Sequence, residues 1–520
     1  MKHSDFVNAC ASCRYITVVP LWPDKQLELD PTGKATQFVT RLIAADEITN
    51  MTPKSPDFSS SIDWREVYLH FKGKNYTDKH SYYWEFSDSF LAKMDRQGGT
   101  VPMHLILDSL KESYTRAHFK RRFDVLNYGK KILLGMIDSR IQRVGLPQRV
   151  DYSNCEKNSA LPVMSKKTHY LAETVGMGPW RHVWPDLVGT RYQFQKPRTI
   201  HQDSVNNINI VAEYLKRVRG WMVREFPELF NGWTNYRGTT SRELTLGISR
   251  GDINYEGDFE HMDEGFGKPI AIKFLLPIFE RLLDPGEFLH FAAYVEEMWT
   301  QPIFMGSFCL CGEHDLLSGV GPTQDFETYY GVMLHLGANF VSGGKARSYS
   351  GIGDDSIALF PKKCLGNARA YKEAIESEAA LNGMRFNLEK CRFNTPDYRF
   401  CKRIWYPGAP TTWINGECRQ IGGYPYTRVM TAMAMPERST APRNLVAAQM
   451  SRLDNSYGSP SWAQFCDLMY KLSNWDLYTV DDANLEELAQ SDWWYRVYGE
   501  RWDPQSSVSY RYLTGTLDRS

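Results

Sequence analysis

The sequence has no apolar run long enough to cross a bilayer. Its most continuous apolar stretch, Pro269 to Phe279, is interrupted by Lys273 and Pro277 and falls short of the roughly 20 residues a spanning helix needs. The opening residues Met1-Lys2-His3-Ser4-Asp5-Phe6 lack the apolar core of a secretory signal, so the ten cysteines are expected as reduced thiols in a cytosol-like compartment, without disulfides. Repeats and low-complexity tracts are missing, and Pro and Gly stay near ordinary usage, which excludes solenoid, collagen-like, coiled-coil and mostly disordered chains. Net charge is missing too: Lys plus Arg and Asp plus Glu each total 61, a balance that by itself argues against a polyanionic partner.

What is present is a full set of core formers, with 42% hydrophobic, 13% aromatic and 23% charged residues in 520. At about 150 residues per domain that length suggests three domains or so. The neutrality is a sum of opposites. Lys111 to Ile200 holds 17 basic and 7 acidic side chains, a local +10, so the rest of the chain carries −10. Such a segment suits phosphate contacts, with Arg116, Lys120, Arg121 and Arg122 as candidates; a solvated helix face is the plainer reading.

The first hundred residues are mixed and Pro-dotted, ending at Gly98-Gly99, and a helix-like basic stretch follows. From about Ile253 to Pro407 short strand-like runs alternate with amphipathic helices, an α+β pattern. Phe326, Tyr330, Met333, Leu334 and Gly337 fall on one helical face and predict a helix starting near Thr323. Tyr371, Ala374 and Ile375 predict another, from an Asn367 cap to a Gly383 stop. After Gly422-Gly423 the chain reads as helices and aromatic-rich loops, acidic toward its end.

Chemistry is concentrated in the carboxylates. Ser350-Gly351-Ile352-Gly353-Asp354-Asp355-Ser356 precedes the apolar run Ile357-Ala358-Leu359-Phe360, so two acids sit where one strand turns into a buried second one. A tight turn using Gly and Asp for backbone tolerance is the bland alternative. Upstream, Asp258 and Asp263 lie five positions apart at the end of the strand-like run from Ile253. Hard divalent cations take oxygen ligands, and one carboxylate from each of two neighbouring strands can hold two ions about 3.5 to 4 Å apart. Asp258 and Asp354 are the candidate metal pair, with Asp355 auxiliary because adjacent strand residues point to opposite faces. Between the acids, Ser318-Gly319-x-x-x-Thr323 forms a Gly-containing loop into the Thr323 helix.

This order of motifs resembles the palm of viral RNA-dependent RNA polymerases: acid-x4-acid, Ser-Gly-x-x-x-Thr, then Gly-Asp-Asp. Gly383, Asn387 and Lys390 look like the fourth palm motif, and Phe400-Cys401-Lys402-Arg403 resembles the primer-grip hairpin. Arg191, Lys196-Pro197-Arg198 and Ile200 look like the basic fingers motif over the incoming triphosphate. Size and the Gly-Asp-Asp-Ser form look most like polymerases of small segmented double-stranded RNA viruses, picobirnaviruses first and partitiviruses second. One departure stands out: where the family usually has an Asn after the motif Thr, to help recognise the ribose 2′-hydroxyl, this chain has Gln324, Asp325 and Glu327.

The resemblance implies an α+β right-hand fold with an antiparallel palm sheet backed by helices and an encircled active site. It places an N-terminal segment and fingertips over 1–100, fingers over 101–214, palm over 215–265 and 318–410, a fingers insertion over 266–317, and a helical thumb and tail over 411–520. It implies primer-independent, template-directed RNA synthesis with Mg²⁺, or Mn²⁺, at Asp258, Asp354 and Asp355. Lys390 is the candidate general acid for pyrophosphate. Lys196 and Arg198 would hold the triphosphate, and Asp263, Ser318, Gly319 and Thr323 the nucleotide. RNA template, RNA product and nucleoside triphosphates are the implied partners, with a viral capsid protein as a further one and the virion interior and host cytoplasm as locations. The rivals are a reverse transcriptase-like palm enzyme and a non-catalytic RNA-binding, capsid-associated protein with a degenerate palm.

Weaker signals remain. Trp180, Trp405 and Tyr406 are candidates for base stacking, though buried aromatics are the commoner case. Cys10-x-x-Cys13 near His3, and Cys309-x-Cys311 with His314, are thin zinc signals. Tyr510 and Tyr512 mark a tail, Ser506 to Ser520, placed to fold back toward the catalytic cleft.

Overall fold

The computed structural model describes residues 8–20, 103–148, 186–191, 198–203, 205–233, 239–305, 308–409, 411–414, 417–426, 428–429, 449–450, 452–459, 462–472 and 507–516. Lys196, Trp180 and His3 lie outside the described residues, as do the fingertip segment beyond residue 20 and the side chains of Arg191 and Arg198.

The strands in chain order are β1 (Thr17–Pro20), β2 (Asp186–Arg191), β3 (Arg198–Gln202), β4 (Ile253–Glu260), β5 (Ile303–Met305), β6 (Phe308–Cys311), β7 (Ser348–Ile352), β8 (Asp355–Phe360), β9 (Arg385–Phe386), β10 (Arg392–Phe393), β11 (Tyr398–Phe400) and β12 (Arg403–Trp405). One sheet runs β1-β6-β5-β2-β3. It draws the N-terminal strand, the basic-motif strands and the strands of residues 303–311 into one unit. The central sheet runs β10-β4-β8-β7 and is antiparallel throughout, with β9 pairing the far end of β4.

The central sheet forms where its sequence alternates between two buried faces. Along β8, Ile357 and Leu359 pack with Leu244, Tyr398 and Trp405 on one side. Ala358 and Phe360 belong to the main core on the other, so a continuous apolar run is what this position requires. The helices behind the sheet are Thr323–Val341 and Leu365–Leu381. The second starts earlier than its sequence suggests. Asn367 is no cap but lies inside the first turn, where its amide donates to the Ser342 carbonyl at 2.6 Å; the Gly383 stop has the left-handed φ of 86°.

The Val125–Val144 helix crosses the Thr323–Val341 helix with backbone against backbone. A Cβ on Gly129 would lie 1.7 Å from the Met333 carbonyl oxygen, and one on Gly337 would lie 2.1 Å from that of Val125. At the N-terminus of the Val125–Val144 helix the buried Glu378 carboxylate accepts from the backbone N–H groups of Asp124, Val125 and Leu126 at 2.9 to 3.2 Å. These are the donors a helix start leaves unsatisfied, and a negative charge also complements the helix dipole. Glu378→Ala should therefore cost about 2 to 3 kcal/mol, the range for losing bonds to a charged acceptor. Thermal unfolding of Glu378→Ala beside Glu378→Gln, which keeps one acceptor, checks this.

Among the described residues after 410, an antiparallel hairpin, Thr411–Ile414 with Glu417–Gln420, precedes the Trp462–Leu472 helix. The described part of the tail forms the short Val508–Leu513 helix. It docks on that helix, with Trp462 and Tyr512 ring centroids 5.2 Å apart and the Tyr512 hydroxyl donating to Asp467 at 3.1 Å.

Candidate active site

The site is assembled at one end of the central sheet. Antiparallel pairing sets Asp258 of β4 directly opposite Asp355 of β8. The β7–β8 connection is the two-residue turn Gly353-Asp354, closed by the Ile352–Asp355 pair, with Gly353 at φ 54° as tight hairpins demand. Asp354 is thereby exposed at the tip, while Asp258 and Asp355 are partly covered. Burial pushes Asp355 up to about 6, with the charges of Asp354 and Asp258 adding and Lys402 opposing.

A second chain segment wraps the end of β4. The Asn387 N–H donates to the Asp258 carbonyl at 2.9 Å, and Lys390 Nζ donates to Asp258 Oδ2 at 3.3 Å from an exposed position. The sequence-derived Asp258, Asp354, Asp355 and Lys390 are thus brought together. Past β4, His261 adopts a left-handed conformation, φ 50°, and turns the chain into Met262–Gly265. Burial, then Glu264, pushes the Asp263 carboxyl up, with His261 and His201 opposing.

The Ser318-Gly319 loop rides on β3. The His201 N–H donates to the Ser318 carbonyl at 2.8 Å, and a Cβ on Gly319, φ 99°, would lie 2.5 Å from the His201 carbonyl oxygen. The strand carrying Arg198 is in this way fastened to the loop. Thr323, considered from sequence as a hydroxyl donor to the nucleotide, spends its proton inside the loop, on the Leu317 and Val320 carbonyls at 2.9 Å.

The hairpin β11–β12 presents its three sequence-derived residues differently. Lys402 is exposed at the turn and senses Asp355. Phe400 is core. Arg403 is buried, donating to the Gly422 carbonyl at 2.9 Å and to Asn455 Oδ1 at 2.7 Å, and so ties the hairpin to residues that follow. Trp405 and Tyr406 are buried as well, which removes them as stacking platforms.

Other sequence candidates are structural. Arg121 is no channel cation: its side chain is 2% exposed and paired with the fully buried Asp315 at 3.0 Å. Both ring nitrogens of His314 face backbone carbonyls, those of Asp315 at 2.7 Å and Gln301 at 3.0 Å, and burial pushes the Cys10 thiol up to about 12. The His314 imidazole is thereby committed to the backbone. Among the described residues no three His, Cys, Asp or Glu side chains are drawn into a preformed metal cage, the Asp258, Asp354 and Asp355 set included. That set nonetheless fits a hard divalent cation: every donor is a carboxylate oxygen, and, after burial, the charges of Asp354 and Asp258 raise the Asp355 carboxyl, a cost a cation would relieve.

Sequence reasoning passed over one residue of the site except as a departure. Glu327 is buried on the first turns of the Thr323–Val341 helix, and burial, then Asp263 and Asp354, push its carboxyl well up. Its signal was its place four residues after Thr323, on the same helical face.

No family model matches the chain, and no curated protein matches it. Solved structures do. The crystal structure of the RNA-dependent RNA polymerase of a human picobirnavirus matches with a TM-score of 0.69 and 15% identity, covering 96% of this chain and 100% of that one. An insertion-loop deletion mutant of the same kind of polymerase matches at 0.70 and 16%, with the same coverage. The central antiparallel sheet, the carboxylate turn and the helices behind them therefore belong to a chain with the right-hand polymerase fold of these picobirnavirus structures.

Proposed function

We propose that this chain is an RNA-directed RNA polymerase that performs template-directed nucleotidyl transfer to replicate and transcribe a viral RNA genome, starting without a primer. The observation that carries the reading is the pairing of Asp258 with Asp355, and Asp354 at the adjoining turn, within a polymerase fold matched along nearly the whole chain. Asp258 and Asp354 would hold two Mg²⁺ or Mn²⁺ ions, with Asp355 supporting them. When bound, the ions would supply acidification of the 3′-hydroxyl of the growing strand and neutralisation of triphosphate charge.

The chain's own residues do the rest. Lys390, beside Asp258, can hold a proton for the departing pyrophosphate. Arg198, on a strand fastened to the Ser318-Gly319 loop, and Lys196 bind the triphosphate through charge-assisted bonds. Asp263 is the acceptor for the ribose, Ser318, Gly319 and Thr323 shape the loop beneath it, and Lys402 approaches the RNA backbone at the hairpin turn. On this reading the fingers, palm, insertion and thumb would take the boundaries that the resemblance implies. Among the described residues no helix is long and apolar enough to cross a membrane. We place the enzyme in the virion interior and host cytoplasm, with a capsid protein as partner.

The test is RNA synthesis by the purified chain on an RNA template without primer, in Mg²⁺ and in Mn²⁺. NTPs should be preferred over dNTPs by at least about a hundredfold, as a site that bonds a substrate hydroxyl discriminates. Preference for dNTPs would favour a reverse transcriptase-like enzyme, and template binding with no synthesis in either metal a degenerate palm.

A further inference from the structure

The central sheet has a second end. Antiparallel pairing puts Asp258, Ile352 and Asp355 at the carboxylate end, so Ile253 of β4, Ser348 of β7 and Phe360 of β8 lie together at the other. Asp252 precedes Asp258 by six residues, which at about 3.3 Å per strand residue sets this end roughly 20 Å from the metal-binding acids. A cavity of about 860 Å³ opens there, lined by Arg250, Asp252, Arg347, Pro361, Lys362 and Lys363. Four cations against one carboxylate give the lining a net charge of +3, and no aromatic ring takes part in it.

The sheet fixes each lining segment. Arg250 ends the Thr239–Arg250 helix, Gly251 turns the chain at φ 63°, and the Asp252 N–H donates to the Gly247 carbonyl at 3.0 Å. The Asp252 side chain is 2% exposed, and Arg347 Nη1 donates to both of its oxygens, at 2.9 and 3.0 Å. The Arg347 N–H also donates to the Leu359 carbonyl at 2.7 Å. A buried acid thus holds a guanidinium that stays 36% exposed, and among the described residues Nε and Nη2 of Arg347 make no hydrogen bond. Arg250, Lys362 and Lys363 are exposed, and among the described residues their side chains form no hydrogen bond or ion pair. Cations gathered around one cavity repel one another, a cost that a bound anion relieves.

We propose that this cavity is a second RNA site, which takes the phosphodiester backbone of single-stranded RNA outside the catalytic cleft. This rests on the polymerase reading above, which makes RNA the polyanion the chain handles. Arg347, oriented through Nη1, keeps Nε and Nη2 for phosphate oxygens, the planar recognition that arginine offers. Lys362, Lys363 and Arg250 add charge for neighbouring phosphates. With no ring on which a base could stack, the site holds RNA without reading its sequence. A strand held there is too far from the carboxylates to react. Its effect is to keep template or product beside the enzyme, raising the local concentration at the cleft.

The experiment titrates the full-length chain, and its Arg250→Ala, Lys362→Ala, Lys363→Ala triple variant, against a fluorescein-labelled long oligouridylate by anisotropy over a range of salt, alongside thermal unfolding. The substituted side chains are exposed, so the thermal midpoint should hold. The variant should bind RNA about tenfold more weakly at low salt, and the slope of log affinity against log salt should shrink by about 2, three phosphate contacts at about 0.7 each. Synthesis on a saturating short template should match the wild type. RNA carrying 4-thiouridine should crosslink beside Arg347 and Lys362 in the wild type and lose those crosslinks in the variant. Unchanged affinity and slope, or equal crosslinking in both chains, would overturn the proposal. So would a polyglutamate probe that binds the wild type and not the variant while RNA binding stays the same, a result that gives the cavity to an acidic protein. A wild-type chain that crosslinks RNA here yet makes no product would uphold the site and overturn the polymerase reading alone.

Discussion

Asp354→Asn should reduce Mg²⁺-dependent RNA synthesis by at least about a thousandfold, since metal stabilisation of transition-state charge contributes several kcal/mol and each 1.36 kcal/mol is tenfold in rate. The substitution removes one negative charge and keeps the shape of an exposed turn residue, so its cost to folding should be within about 0.5 kcal/mol. Gel-shift affinity for RNA should change little, because phosphate contacts made by cations supply it. The acids should not respond alike. Asp355 is partly buried and pushed up to about 6, so neutralising it relieves some repulsion, and Asp355→Asn should lose less than Asp354→Asn. Asp258→Asn should match Asp354→Asn in rate and also free Lys390 from its 3.3 Å contact. Retention of synthesis by Asp354→Asn with bound Mg²⁺ unchanged would remove Asp354 as a metal ligand.

Such residues were legible because their information is local. Asp354 follows a glycine and precedes an apolar run, so the turn, the strand and the exposed tip all follow from about ten consecutive residues. The Thr323 helix was legible for the same reason: its apolar face repeats at helical spacing. What stayed hidden depends on distant partners. Arg121 counted as one more cation in a +10 segment, yet a charge count cannot distinguish a guanidinium facing solvent from one facing Asp315, 194 residues away. Glu378 has no local signal in its own helix, yet it caps a helix about 250 residues earlier in the chain. The hairpin at 411–420 was missed because what precedes Gly422-Gly423 carries no clear period.

The buried ion pair carries the largest expected loss of stability. Arg121 bonds Asp315 Oδ1 at 3.0 Å and Oδ2 at 3.3 Å, and it also donates to the carbonyls of Arg116 and Asn382, both at 3.1 Å, and of Gly265 at 3.4 Å. It thereby joins the end of the Met103–Arg116 helix, the turn after Asp263, the segment before the Ser318 loop and the Leu365–Leu381 helix end. Gly267 makes room for it, since a Cβ there would lie 2.4 Å from Arg121 Cζ. Burial pushes Asp315 up to about 7 even with the guanidinium opposing, so much of the attraction only offsets desolvation. Breaking the pair is another matter. Arg121→Met leaves a buried carboxyl and several carbonyls without their donor and should cost about 3 to 5 kcal/mol, read as a lowered thermal midpoint and faster proteolysis. Asp315→Leu combined with Arg121→Met should recover part of that loss, because it removes the stranded acid but not the stranded carbonyls. If Arg121→Met melts with the wild type, the four segments are held by their apolar contacts alone.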